Sequence, residues 1–397
     1  MSCPVCGNLS IDEILFLECG KFDDSPIYDP LRIATCTVCG HVYNLLTENE
    51  ILGLMQYYET EYAMNNLYSP NINGDTPGSI GRNSVERYAL LYEFISGWIT
   101  RHDRVLDVGC AAGGFLQTLK KMNYRHLSGI EFSEPYVEAA SKLPDIEIKK
   151  GIAEEIPYDN DSFDFVVADQ VVEHLADPSS IFKEARRVLD DRGLLCISVP
   201  NAIFYEETHF FDFYWFLMRE HIQHFDLIHL AMIAEKHGFT LIDSKTTFSN
   251  MISDRSILPN LSTLFMLKDT NVCRSWLPSG LGEKMKSYIK TSYEDLNKKR
   301  RFIGHMADTK MPLYVYGIGR EFMYLYKNTR LPECEIPGLI DDTKYKQDFL
   351  KFDGRNILGS EFIKYTSENV IITATAHSAK LKARLNDLDV KGKIIEI

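Results

Sequence analysis

Val105-Leu106-Asp107-Val108-Gly109-Cys110-Ala111-Ala112-Gly113-Gly114 decides how the rest of the chain is read. Val105, Leu106 and Val108 are the β-branched and aliphatic residues of an interior parallel strand, which needs apolar side chains on both faces. Gly109, Gly113 and Gly114 then permit a sharp turn and a close backbone approach to a ligand. Phe115 to Met122 reads as a helix whose free N–H groups face that turn. The next apolar run, Leu127 to Ile130, ends in Glu131, where a carboxylate can accept both hydroxyls of a ribose. A nucleotide-type ligand at a strand–loop–helix junction is the expectation, although dinucleotide folds and plain tight turns share the glycine pattern.

The chain around this junction is 397 residues long, enough for two or three domains, and its 45% apolar and 12% aromatic content suffices for substantial cores. No run approaches the roughly 20 apolar residues that span a bilayer, and the start Met1-Ser2-Cys3-Pro4 lacks a signal-peptide pattern. A cytoplasmic protein without a membrane partner is expected. The net charge of −13 argues against a polyanion partner such as nucleic acid. The one dense basic run, Lys298-Lys299-Arg300-Arg301, reads as a solvated helix end.

Four of the nine cysteines, Cys3, Cys6, Cys36 and Cys39, form two Cys-x-x-Cys pairs, each followed by glycine. Two such knuckles make a tetrahedral four-sulfur site that suits Zn²⁺, and four ligands leave no open position, so the metal is expected to be structural. Two disulfides or a redox pair are the competing readings.

Along the chain, residues 1–75 comprise the cysteine module, hairpin-like between its knuckles, and a tyrosine-rich segment that includes Tyr62. A linker at 69–81 and a helix over Ser84 to Trp98 lead into strand–helix alternation over 76–270, the pattern of a parallel sheet covered on both faces. An aromatic insertion runs from Phe204 to Phe216, Asp226 begins a helix that Gly238 ends, and Phe239–Phe248 with Leu261–Leu267 are expected as an antiparallel pair. Residues 271–304 form a helical linker. Over 305–397 a strand enters a second glycine turn, Tyr316-Gly317-Ile318-Gly319, and further strands are expected at Ile336–Asp342, Asn369–Ala374 and Lys393–Ile397. This smaller Rossmann-like unit has Phe322 where a dinucleotide fingerprint has its third glycine. The densest set of candidate bases is Arg219-Glu220-His221-Ile222-Gln223-His224-Phe225, where a carboxylate beside an imidazole is expected to tune it toward a neutral pKa.

The spacing Asp-x-Gly-x-x-x-Gly, with Asp107, Gly109, Ala111 and Gly113, resembles the first motif of the class I S-adenosylmethionine (SAM) methyltransferases. Glu131, Gly151–Pro157, Phe163–Val167 with Asp169, Val172-Glu173-His174 and Gly193–Asn201 match later motifs in order, over about residues 80–269. The resemblance implies an α/β class I methyltransferase sheet with SAM held by Asp107, Gly109, Ala111, Gly113, Glu131, Ala153 and Asp169. Ile152 stands where many relatives carry an aspartate for the adenine amino group, which shifts recognition to backbone groups such as those of Ala153.

The module order also resembles the sugar C-methyltransferases that act on nucleotide-linked keto-deoxysugars. That resemblance implies that His221, beside Glu220, takes the proton next to a ketone, that the enolate attacks the methyl group, that His174 is a second active-site histidine, and that Tyr62 closes over the sugar. The chain departs from the family at Met218, Arg219 and Glu321-Phe322. O-methylation of a sugar or other small molecule, a zinc-containing ribosomal RNA methyltransferase, and a non-catalytic scaffold are the alternatives. The sugar and the oligomeric state are not legible.

Overall fold

The computed structural model describes residues 2–68, 76–208, 214–250, 257–268 and 279–397. Parts of the expected linker at 69–81, of the aromatic insertion and of the 271–304 segment, together with Cys273, lie outside them.

The N-terminal module contributes β1 (Ile11–Leu17), β2 (Leu31–Cys36) and β3 (Val42–Asn44), all antiparallel. The tyrosine-rich segment that follows is helical. Thr47 opens the helix Glu48–Tyr57 with a capping box closed by Glu50, and a π-helical turn, Tyr58–Tyr62, passes into the helix Ala63–Tyr68. Such turns widen a helix and re-aim its side chains, here the tyrosines.

The central sheet is built from β4 (Arg104–Val108), β5 (His126–Glu131), β6 (Glu147–Lys150), β7 (Phe163–Asp169) and β8 (Leu189–Pro200), all parallel. A two-residue strand, β9 (Gln223–His224), precedes the long antiparallel pair β10 (Phe239–Asn250) and β11 (Ile257–Leu267). The sheet order is β10-β11-β8-β7-β4-β5-β6. From β4 the chain fills one side of the sheet and then returns to β7 on the other, so the loop after β4 opens at the topological switch point, where open α/β sheets bind ligands. The helices Arg82–Ile95 and Gly114–Lys121 cover one face through Tyr88, Leu91, Ile95, Phe115 and Leu119. Ser179–Val188 and Leu227–Lys236 cover the other through Ile181, Phe182, Leu230 and Ile233. Asp226 caps the last of these by accepting from the His229 N–H.

The C-terminal unit has β12 (Leu313–Tyr316), β13 (Leu339–Ile340), β14 (Lys351–Phe352), β15 (Arg355–Leu358), β16 (Asn369–Ile372) and β17 (Ile394–Glu396), in the order β14-β15-β13-β12-β16-β17. All pairings are parallel except β14–β15, and β12 with its glycine turn again occupies the switch point. The helix Leu281–Thr309 that precedes it runs past the expected boundary at 304–305.

The N-terminal module does not stand alone. Its β3 pairs with β9, Val42 opposite His224 and Tyr43 opposite Gln223, so its sheet takes a fourth strand from the segment that carries His221. One hydrophobic core joins Leu31, Ile33 and Val42 of the module to Phe216, to Tyr288 of the long helix and to Phe322 of the C-terminal unit. Phe322 is wholly buried there, so the residue that breaks the dinucleotide fingerprint is a core residue. Among the described residues no helix is long and apolar enough to cross a membrane.

Candidate active site

Glu131, at the end of β5, accepts from the Ala111 N–H through Oε2 at 2.9 Å and from the Ser133 N–H through Oε1 at 2.8 Å. It thereby pins the turn after β4 and keeps further lone pairs for a ligand. Burial raises its pKa, and burial together with the nearby Asp169 charge holds that of Asp107 well above the carboxylate range. Gly109, at φ +72°, meets the side chain of Val171 so closely that an added Cβ would lie 2.6 Å from Val171 Cγ2. Ala111 is left-handed at φ 45°, a strain that a ligand-facing turn tolerates. Gly113, at φ +78°, is the N-cap of the helix Gly114–Lys121. Asp169 forms a buried ion pair with Arg87.

Tyr58, Tyr62, Gly109, Ala111, Glu131 and Ala153 line a cavity of about 240 Å³. It meets a cleft of about 1070 Å³ at Tyr62, Gly109, Ala111, Gln170 and His174. The cleft runs from Asp107 and Asp169 past Glu173 and His221 to Gly317, Gly319 and Arg320 of the C-terminal glycine turn. Two switch points, one from each sheet, thus face a single volume.

At the junction, the His174 and His221 rings lie 5.0 Å apart, edge to face. His174 Nδ1 is 2.8 Å from the Glu220 carbonyl oxygen. A carbonyl only accepts, so Nδ1 carries the proton and Nε2 keeps its lone pair. The Tyr58 hydroxyl, 2.8 Å from the same Nδ1, also donates to that carbonyl at 3.3 Å. Tyr62 packs tilted against Tyr57 and edge to face against Tyr58, and burial pushes its phenol above its usual range.

One expectation is overturned here. Glu220 does not tune His221: its carboxylate accepts from Tyr57 at 3.0 Å. Burial, reinforced by His174, His224 and Arg320, holds the His221 pKa well below that of a free imidazole rather than near neutrality. Glu220 lies in a turn that the His221 N–H closes on the Met218 carbonyl at 3.1 Å, so these sequence neighbours are not partners. The carboxylate near His221 is Glu173. Potential ligand atoms of Glu173, His174 and His221 all lie within 4.8 Å of one another.

Arg87, which holds Asp169, had no local signal because it lies far away in sequence, and Glu173 stood out only as part of the Val172-Glu173-His174 motif, with no role assigned to it. Met218 lines the cleft. Arg219 is buried, donates to the Tyr28 carbonyl at 2.6 Å, and braces the insertion against the N-terminal module instead of facing the cleft.

The four knuckle cysteines converge. Cys3 and Cys39 sulfurs lie 3.7 Å apart, and those of Cys6 and Cys36 lie 3.5 Å apart. With metal–sulfur bonds of about 2.3 Å, a tetrahedral Zn²⁺ site has sulfur–sulfur edges of roughly 3.8 Å, so the donor set fits that ion. A hydrogen bond from Cys39, helped by the Val5 and Cys6 backbone N–H groups, lowers the Cys3 pKa to about 5, whereas the same hydrogen bond raises that of Cys39 and burial raises that of Cys6 to about 11, so the sulfurs share protons in the absence of a cation.

Residues 81–244 match the family model described as a methyltransferase domain. Over 118 residues the chain is 33% identical to a probable S-adenosylmethionine-dependent methyltransferase of Mycobacterium tuberculosis, covering 30% of this chain and 42% of that protein. Over 104 residues it is 29% identical to a ubiquinone biosynthesis O-methyltransferase of Maricaulis maris, covering 25% of this chain and 41% of that protein. The chain spans about two fifths of the length of these curated relatives. A solved SAM-dependent methyltransferase of Thermotoga maritima, a possible histamine N-methyltransferase, aligns with 21% identity over 47% of this chain and 96% of that chain, at a TM-score of 0.35.

The match over residues 81–244 is to a methyltransferase domain, with SAM-dependent methyltransferases among the similar proteins, and the loop after β4 is the expected place of the donor. Replacing Gly109 by alanine is expected to raise the dissociation constant for SAM by about tenfold or more, given a strain of about 1–3 kcal/mol at a left-handed position. Calorimetry on a folded G109A variant checks this, and an unchanged constant would move the donor elsewhere.

Proposed function

We propose that this protein methylates a sugar presented as a nucleotide-linked keto-deoxysugar, at carbon and through an enolate. The observation that carries the reading is the single cleft joining the glycine loop after β4 to the glycine turn after β12, with Tyr62, His174 and His221 at its middle. SAM supplies a methyl group on a positively charged sulfur, an electrophile that needs only an aligned nucleophile. Asp107, Gly109, Ala111, Gly113, Glu131, Ala153 and Asp169 are assigned to hold it.

The chain's own residues do the rest. His221, lining the cleft, takes the proton beside the ketone. Glu220, held by Tyr57, fixes His174 through its backbone carbonyl, and His174 Nε2 offers a hydrogen-bonding position toward the acceptor. Tyr62 closes over the sugar and excludes water. Arg320, Lys344 and Lys380 on the C-terminal side complement the charge of a diphosphate. Zn²⁺ on Cys3, Cys6, Cys36 and Cys39 is assigned a structural role that fixes the two knuckles.

O-methylation of a sugar or other small molecule is the second reading, favoured by the likeness to ubiquinone O-methyltransferases. A panel of nucleotide 4-keto sugars and their reduced 4-hydroxy counterparts, incubated with protein and SAM, separates the two by mass spectrometry. Methylated product from a keto sugar with solvent-exchanged deuterium beside the ketone is expected. Turnover confined to the hydroxy sugars would favour oxygen, and no turnover on any member with SAM bound would remove the sugar.

A further inference from the structure

We propose that Glu173 is a positioning residue for the proton transfer, its carboxylate serving as the counter-charge of the imidazolium that His221 becomes. The inference rests on the methyl-transfer reading and deepens it.

Glu173 sits in the single turn Val172–His174 after β7 and is 1% exposed. Neither carboxylate oxygen has a hydrogen-bond partner. A buried acid without partners is costly, and its retention calls for an explanation. Its Oε1 lies 4.0 Å from His174 Nε2, and the three side chains form one cluster with His221. His221 Nδ1 is likewise buried and unpartnered.

The surrounding charges single out Glu173. His174, His224 and Arg320 all oppose a proton on His221. The Glu220 carboxylate is occupied by Tyr57, and the His174 Nδ1 proton by the Glu220 carbonyl. Around Glu173 itself, Asp169 opposes ionisation and Arg87 favours it, and the phenols of Tyr58, Tyr62 and Tyr205 bear on the same pocket. An anion within this cluster is what an imidazolium there requires.

The step balances as follows. The bond from the acceptor atom to hydrogen breaks and its proton passes to a ring nitrogen of His221. The electron pair left behind forms the bond to the methyl carbon. The pair of the sulfur–methyl bond returns to sulfur, which becomes a neutral thioether, so the positive charge moves from sulfur to His221 beside the Glu173 carboxylate.

Burial raises the Glu173 pKa to about 8. A raised pKa means that the carboxylate form is lost as pH falls through that value. The rate constant kcat is therefore expected to rise with pH through about 8.

The test uses the full-length, metal-loaded protein and the Glu173→Gln variant. With the keto sugar that is turned over in the panel assay, E173Q is expected to lose about tenfold or more in kcat and to lose the limb near pH 8, with KM and SAM affinity within about twofold. The Glu173 carboxyl, followed by the infrared difference between wild type and E173Q in the presence of the demethylated donor, is expected to ionise as pH rises through about 8. This second reading needs no turnover, so it still decides the inference if the sugar assignment fails. Glu173→Asp, which keeps the charge, should restore part of the rate and the limb, and replaces E173Q should that variant not bind SAM. A Glu173 carboxyl that does not ionise near that value, or a limb that persists in E173Q, would overturn the proposal. So would a second equivalent of metal per chain that E173Q loses, since the cluster would then be a cation site.

Discussion

His221→Ala is expected to lower kcat by about three orders of magnitude, within the range of about 10²–10⁴ for a positioned base, while the affinity for SAM stays within about twofold. The separation follows from position. The proposed donor site lies on the turn after β4 and on Glu131, whereas His221 lines the cleft from the segment before β9. The residue is 8% exposed and burial favours its neutral imidazole, so its removal costs no ion pair. Single-turnover kinetics and calorimetry on the same preparation check both halves. A wild-type rate would show that another group takes the proton, with His174 Nε2 as the next in reach.

Metal removal is the second large effect. The knuckles are tied to the active site by two routes. His41 donates from Nε2 to Gln223 Oε1 at 2.8 Å, and Gln223 Nε2 donates to the Leu175 carbonyl at 3.1 Å, beside Glu173 and His174. Asp226 Oδ1 lies 2.7 Å from His229 Nδ1, and His229 Nε2 donates to the Cys39 carbonyl at 3.1 Å. Structural zinc contributes roughly 10 kcal/mol to the folding of a small module. Chelation, or Cys36→Ser, is therefore expected to release β3 from β9, to abolish turnover and to lower the melting temperature. SAM affinity should fall by no more than about threefold, because its proposed site lies on the central sheet. Metal analysis, thermal melts and calorimetry read these three quantities. Full activity after the metal is stripped would show that β9 is held in place without it.

Much of the central sheet was legible in the chain because parallel strands buried on both faces must be apolar runs. Arg104–Val108, His126–Glu131 and Phe163–Asp169 follow the expected order, and the antiparallel pair closes the edge. The strands Lys351–Phe352 and Arg355–Leu358 differ: they are too short to announce themselves. The tyrosine segment gave no helical period that includes a π-turn, since one extra residue breaks the 3.6 repeat.

The partner of His221 was misread for a related reason. Glu220 is its neighbour along the chain, but proximity across space belongs to Glu173, delivered by the turn after β7, and to Arg320, delivered by a different sheet. Likewise Arg87 reaches Asp169 only because its helix lies over the central sheet.

By itself, then, the sequence determined the local things: a strand–glycine turn–helix followed by a strand that ends in an acid, two cysteine knuckles, and a second glycine turn. These depend on backbone freedom and hydrophobic period within a few residues. Tertiary structure alone decided that both turns open on one cleft, that the cysteine module borrows a strand from the segment carrying His221, and which carboxylate faces that histidine. Those outcomes come from packing between distant segments, where apolar burial fixes the approach and no short stretch of chain encodes the meeting.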